Sequence, residues 1–306
     1  MARAIAWYWE LTAILMSFRS VDPGMRAVLA TDLSDAIEAA ITSQPCLECL
    51  GRYGIDEIDL ITVTSPNVTT GIPGNNLGKQ TKRGMKRQRE QLEEEGFTVE
   101  THVMRGTPHR RINGLADRVN ADLIIVGSRG KSPLKQRFIG GTARNIARTA
   151  VRPLLVQRIV EADEDHEVAN EHLFKRILYA TDFSENADHA FEQFHNLKTA
   201  TEEAMLVHVA PPERRPNAEG ADDAQTRLDE LAAATGEMGI DAQTSVREGV
   251  AADEILAAED AFDPTTILMG SRGQSPMRRL LLGSVSEAVT ARADSNVLLV
   301  PPARVR

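Results

Sequence analysis

Gly270–Ser284 reads GSRGQSPMRRLLLGS, and Gly127–Thr142 reads GSRGKSPLKQRFIGGT. A chain that writes one glycine-spaced segment twice is tested first for duplication. The two segments match at an offset of 143 and run on without a gap through RPLLVQ and SNVLLV. Upstream, RAVLATDLSDAIEAA (Arg26–Ala40) matches RILYATDFSENADHA (Arg176–Ala190) at an offset of 150. The difference in offset falls on a longer loop in the first copy, SPNVTTGIPGNNLGKQ. This reading divides the chain into an N-terminal extension (1–24), a first domain (25–158), an acidic linker (159–171) and a second domain (172–301).

Each copy alternates short apolar runs with amphipathic or charged stretches. AVLA or RILYA comes first, then IDLITVTSP or AMLVHVAPP, then TVETHVMRG or DAQTSVREG. The fourth run, DLIIVG or TILMG, leads into the glycine segment, and PLLV or NVLLV closes the copy. Apolar strands alternating with helices imply a parallel sheet covered on both faces. The expected fold is α/β, as two tandem doubly wound domains, each a five-stranded mainly parallel sheet with helices on both faces. Ligands of such folds bind outside the carboxyl ends of the strands, where Asp32, Asp182 and both glycine segments fall.

Composition narrows the function classes. With 306 residues, 42% hydrophobic and 26% charged, the chain can bury two cores. A net charge of −9 argues against nucleic-acid binding, which needs a basic face. Cys46 and Cys49 in PCLEC lack the second ligand pair that a structural zinc requires. They read as small apolar helix residues kept reduced in a cytoplasmic protein. Ala4–Phe18 is apolar apart from Glu10, too short to span a bilayer comfortably and without the basic flank of a signal peptide. Residues 1–24 are therefore expected to be dispensable to the fold, with Met25 an alternative start; no transmembrane segment is expected.

The glycine segment of the second copy follows a strand and precedes a helix opening at Ser284. Glycines let the backbone turn and let a ligand approach with no Cβ in the way. A helix N-terminus presents unpaired N–H groups and a positive dipole end, and a hydroxyl there adds a donor or a cap. Together these make a phosphate cradle, with Arg272, Arg278 and Arg279 nearby. The plain alternative is a loop using glycine only to turn. Neither copy is a P-loop, which needs Gly-Lys-Ser/Thr opening the helix.

ILYATDFSENA, together with Gly-x2-Gly-x9-Gly-Ser at 270–284, resembles the universal stress protein family, of its ATP-binding type, as a tandem member. The resemblance implies an adenine-nucleotide site (ATP, ADP or AMP, with or without Mg2+). Ala180 and Asp182 would meet the adenosine end, and Val209 and Met269 would line the adenine pocket. Gly270, Gly273, Gly283, Ser284 and Val285 would surround ribose and phosphates. Asp182 could instead, or also, cap the helix after it. In the first copy Ala30, Asp32, Val63, Val126, Gly127, Gly130 and Gly140 match, but Gly141 and Thr142 displace the hydroxyl. That copy is left to bind weakly, to bind another nucleotide, or to serve as a structural partner.

Hydrolysis needs a positioned base or water-orienting group. Asp182 would face adenosine, and His208 on its apolar strand reads as a core residue. The expectation is a stress-response or regulatory binding module acting through nucleotide-dependent conformation or partner binding, with at most slow ATP turnover. The alternatives are a structural member with an empty loop and a slow ATPase. RPLLVQ and SNVLLV, the last strand of each copy, would let the copies pack as an internal pseudo-dimer, and a homodimer of chains is compatible with this.

Overall fold

The computed structural model describes residues 24–64, 77–128, 139–162, 165–210, 218–273 and 282–303. The extension at 1–23 and Gly130, Arg278 and Arg279 lie outside them. The first copy runs β1 (Met25–Ala30), α1 (Asp35–Thr42), α2 (Gln44–Tyr53), β2 (Ile55–Thr64), α3 (Leu77–Glu94) and β3 (Thr98–Arg105). It continues with α4 (Pro108–Arg118), β4 (Leu123–Gly127), α5 (Gly141–Thr149) and β5 (Leu154–Gln157). After a hairpin of β6 (Ile159–Ala162) and β7 (Asp165–Val168), the second copy opens with β8 (Arg176–Thr181), α6 (Glu185–Phe191), α7 (Phe194–Leu197) and β9 (Glu203–Ala210). It closes with α8 (Ala218–Glu237), β10 (Asp241–Glu248), α9 (Ala251–Phe262), β11 (Thr266–Gly270), α10 (Ser284–Arg292) and β12 (Asn296–Val300).

All five strands of each copy join one ten-stranded sheet, in the order β10-β9-β8-β11-β12-β5-β4-β1-β2-β3. Within a copy every pairing is parallel, as doubly wound strands buried on both faces require. The order reverses between the first and fourth strand of each copy, β1/β4 and β8/β11, which opens a crevice at their carboxyl ends. The copies meet edge to edge where β12 pairs antiparallel with β5, Leu298 opposite Leu155. One core layer holds Tyr53, Phe174, Tyr179 and Phe194 under α1–α3 and α6–α8; the other holds Ile112, Ile146, Ile255 and Val289 under α4, α5, α9 and α10.

Two details differ from the sequence reading. The acidic segment expected as a solvated linker contains a hairpin, because Ile159 and Val168 pair at its base and Ile159 is buried. Cys46 donates its thiol to the Glu171 carbonyl at 3.2 Å, fastening the segment that follows to α2. Both cysteines are buried on α2 as expected, and burial pushes the Cys46 thiol up to about 11, outside the range of reactive thiols. No helix among the described residues is long and apolar enough to cross a membrane.

Candidate functional site

The crevice at the β8/β11 switch is a cavity of about 240 Å³. Its floor is apolar because the inward residues of buried parallel strands are: Ala180 lies on β8, Val207 and Val209 on β9, and Met269 on β11. Ala251 and Ile255 of α9 close one side. They reach it because Gly249, at φ +150°, turns the chain from β10 into α9, a backbone state that L side chains rarely adopt. Gly106, at φ +138°, makes the same turn in the first copy. Asp182 and Thr181 lie at its rim together with Gly270, Gly273, Gly283, Ser284 and Val285, with Gly273 close against the Asp182 carboxylate. The nine residues singled out in the second copy thus line one cavity.

The glycines do not serve the turn. Gly270, Gly273 and Gly283 all avoid positive φ, so an L residue could follow the same backbone path. What they provide is space. A Cβ on Gly273 would stand 2.6 Å from Asp182 Oδ2, and one on Gly270 would press on Asn186 at 3.1 Å. A Cβ on Gly283 would meet only ordinary contacts, at 3.5 Å and beyond. Gly283 is also the N-cap of α10, and no side chain caps that helix. The first-turn N–H groups of α10 therefore have no intrahelical acceptor and, among the described residues, no side-chain cap.

The loop between β11 and α10 is held at both ends. Ser271 N donates to Val300 O and Gly283 N to Ser271 O, each at 2.8 Å. Ser286 Oγ donates to Gly270 O at 3.0 Å, so this hydroxyl secures the loop rather than facing a ligand. Asn186 ties α6 in: its amide nitrogen donates to Val300 O and its oxygen accepts Arg272 N at 2.8 Å. Arg272 lines the cavity, and its buried Nε has no hydrogen-bond partner among the described residues. A cationic side chain with a spare buried donor beside an uncapped helix start suits an oxyanion.

Asp182 is not the helix cap. The chain passes Phe183 at φ +58° before the helix begins, so the cap falls to Ser184, whose Oγ accepts Ala187 N at 3.2 Å. Asp182 Oδ1 instead accepts Ser184 N at 3.1 Å, which fixes the carboxylate at the rim. His208 lies off the cavity, its Nδ1 2.9 Å from Thr181 O and its ring stacked on Phe183.

The first copy builds the same shape. A cavity of about 290 Å³ is lined by Ala30, Asp32, Val63, Val126, Gly127, Gly140, Gly141 and Thr142. Gly140 caps α5, again with no side-chain cap. Asp32 Oδ1 accepts Ser34 N at 3.0 Å, as Asp182 does in its copy. Thr142 stands where the second copy has Val285, and Gly141 stands at Ser284, so the hydroxyl is moved by one position. Sequence reasoning missed the side wall in both copies (Ala251 and Ile255, Pro108 and Ile112) and the Asn186 clamp. The wall had a signal in the glycine ending the third strand; the clamp, a single Asn within a helix, had none.

Comparison with known proteins agrees with this architecture. The profile described as "Universal stress protein family" matches residues 25–158 and 173–301. Universal stress protein MJ0531 of Methanocaldococcus jannaschii is 32% identical over 143 residues, 42% of this chain and 84% of that one. Universal stress protein MJ0577 of the same organism is 34% identical over 82 residues, 27% of this chain; the match spans about half (51%) of that relative's length. Among solved structures, a universal stress protein from Archaeoglobus fulgidus DSM 4304 superposes with a TM-score of 0.70 at 25% identity, covering 91% of this chain and 98% of that one.

Proposed function

This chain belongs to the universal stress protein family, with two copies of the family's domain in tandem, and from that premise we propose that it is a stress-response protein whose second copy binds an adenine nucleotide. One observation carries the reading: an uncapped helix start at Gly283-Ser284 and the Asp182 carboxylate line one apolar slot. The apolar floor of Ala180, Val209 and Met269 suits a purine base, and Asp182 can accept from ribose or base donors. The first-turn N–H groups and Arg272 suit the phosphates, held by backbone donors and a guanidinium. Nucleotide binding would add contacts between α10, the loop and α6, favouring whichever conformation brings them together. We assign no hydrolytic step to these residues, and Mg2+ enters only as a companion of the phosphates. In this reading the protein acts in the cytoplasm, and the first copy's cavity is the weaker or differently selective site.

Titration calorimetry of the full chain with ATP and AMP, with and without Mg2+, tests this. The expected result is saturable binding at about one equivalent and a raised melting temperature. Absence of both heat and melting shift for either nucleotide would overturn it, leaving a structural member of the family.

A further inference from the structure

The duplicated chain contains its own control, and one cluster fails it. On β2 and β3 of the first copy, Asp59, Glu100 and His102 bring their ligand atoms within 4.8 Å of one another. Asp59 is 1% exposed, on the strand next to the edge strand β3. Its Oδ1 lies 2.6 Å from His102 Nε2, and Glu100 Oε1 lies 4.0 Å from that same nitrogen. Strand register gives the corresponding residues of the second copy: Met205 for Asp59, Gln243 for Glu100 and Ser245 for His102. The fold therefore does not need these three groups, and Met205 fills the place of the buried carboxylate. The neighbouring ion pair behaves differently. Arg26–Glu57 in the first copy is kept as Arg176–Glu203 in the second.

We propose that Asp59, Glu100 and His102 form a site for a divalent transition-metal ion of the zinc class. One imidazole nitrogen and two carboxylate oxygens are a known donor type for such ions, and leave a coordination position open. Tetrahedral ligand atoms about 2.1 Å from zinc lie about 3.4 Å apart. The 2.6 Å and 4.0 Å separations bracket that value, so small rotations of His102 and the exposed Glu100 side chain reach it. Arg26 NH1 donates to Asp59 Oδ2 at 3.3 Å, which holds the carboxylate while leaving Oδ1 toward the imidazole. Outer hydrogen bonds of this kind orient metal-ligating carboxylates. Charge points the same way. Asp59 and Glu57 share the Arg26 guanidinium while Glu100 stands beside His102, so three carboxylates and one guanidinium leave two negative charges when the imidazole is neutral. An Asp–His hydrogen bond alone accounts for two of the residues but not for Glu100, which sits directly opposite Asp59, carboxylate against carboxylate. Like charges so placed weaken a sheet unless something neutralises them.

The test is equilibrium dialysis of the full, tag-free chain against micromolar Zn2+, followed by metal analysis, with Co2+ substitution read by its visible d–d bands. The wild type should retain about one ion per chain and melt at a higher temperature with it. Glu100→Gln, and the double change Glu100→Gln/His102→Ser, install second-copy residues and should weaken binding about tenfold or more. Their metal-free melting temperatures, measured alongside, show whether the variants fold. Cys46→Ser/Cys49→Ser should keep the ion. Zinc that fails to bind at these concentrations, persists in the folded double variant, or disappears with the cysteines would overturn the proposal.

Discussion

In the proposed site, Gly283 would separate binding from folding at a single residue. A side chain there meets no close neighbour, and the backbone is ordinary for any L residue, so the fold tolerates Gly283→Ser. Serine is the better N-cap, and its hydroxyl can bond the N–H groups left uncapped in α10, adding a few tenths of a kcal/mol. Those are the donors a phosphate would use. Gly283→Ser is therefore expected to raise the melting temperature slightly while weakening nucleotide binding about tenfold or more; unchanged affinity would mean the phosphates lie elsewhere. Gly273→Val reads out the approach of the loop to Asp182. Its Cβ would stand 2.6 Å from the Asp182 carboxylate, so the loop must shift, and nucleotide titration should detect no binding. The roles of these glycines were half legible in the sequence. Their spacing placed them together at the strand ends, where the cradle is proposed, but whether they turn the chain or clear space depends on φ, which spacing does not encode. Asp182 shows the same limit: the residue string TDFSENA offers both Asp182 and Ser184 as caps, and the left-handed step at Phe183 decides for Ser184.

At the scale of elements, the strands were the legible part. Parallel strands buried on both faces must be written as apolar runs, and TILMG, LIIVG and NVLLV are such runs. The hairpin at 159–168 was not legible, since only Ile159 and Val168 mark its base within an acidic stretch. Helix α9 carries a polar group that the pattern also hides. Glu259 is 6% exposed and accepts Ser295 N at 2.6 Å, tying α9 to the start of β12, where the first copy has Ala116. Burial raises its pKa above the usual 4.5, so the folded chain holds this proton more tightly than the unfolded chain. Its contribution is then complete below about 4.5 and is lost as pH rises through the raised folded value. Glu259→Gln keeps an acceptor for Ser295 N and never ionises. It should be more stable than wild type at pH 7, on the order of 1 kcal/mol, and the gap should close toward pH 4.5 in denaturant titrations. A gap that widens on acidification would reverse the assignment.

On the scale of the whole molecule, the seam between the copies decides how the chain unfolds. The sheet is continuous through β5 and β12, and both core layers draw residues from both copies. Separating the copies would expose two strand edges and the apolar surface beside them, so neither copy has a complete boundary of its own. Three further ties cross the seam: Tyr53 Oη donates to Gln193 at 2.6 Å, Arg148 pairs with Glu287, and Arg158 is buried against the second copy. Arg158 N donates to Asn296 Oδ1 at 2.8 Å, and its guanidinium donates to the carbonyls of Ser295 and Thr290, the latter in the last turn of α10. The surface pair Arg148–Glu287 contributes little, whereas a buried guanidinium serving carbonyls contributes through several charged hydrogen bonds. Calorimetry of the wild type should therefore show a single cooperative transition with matching calorimetric and van't Hoff enthalpies, despite two copies of one domain. Arg158→Met keeps the apolar stem but strands the Ser295 and Thr290 carbonyls, and should cost about 2–3 kcal/mol. Because the loss falls on the seam rather than inside either copy, the transition should also broaden or split. Two resolved transitions already present in the wild type would show that the copies unfold independently, with the β5–β12 pairing too weak to join them.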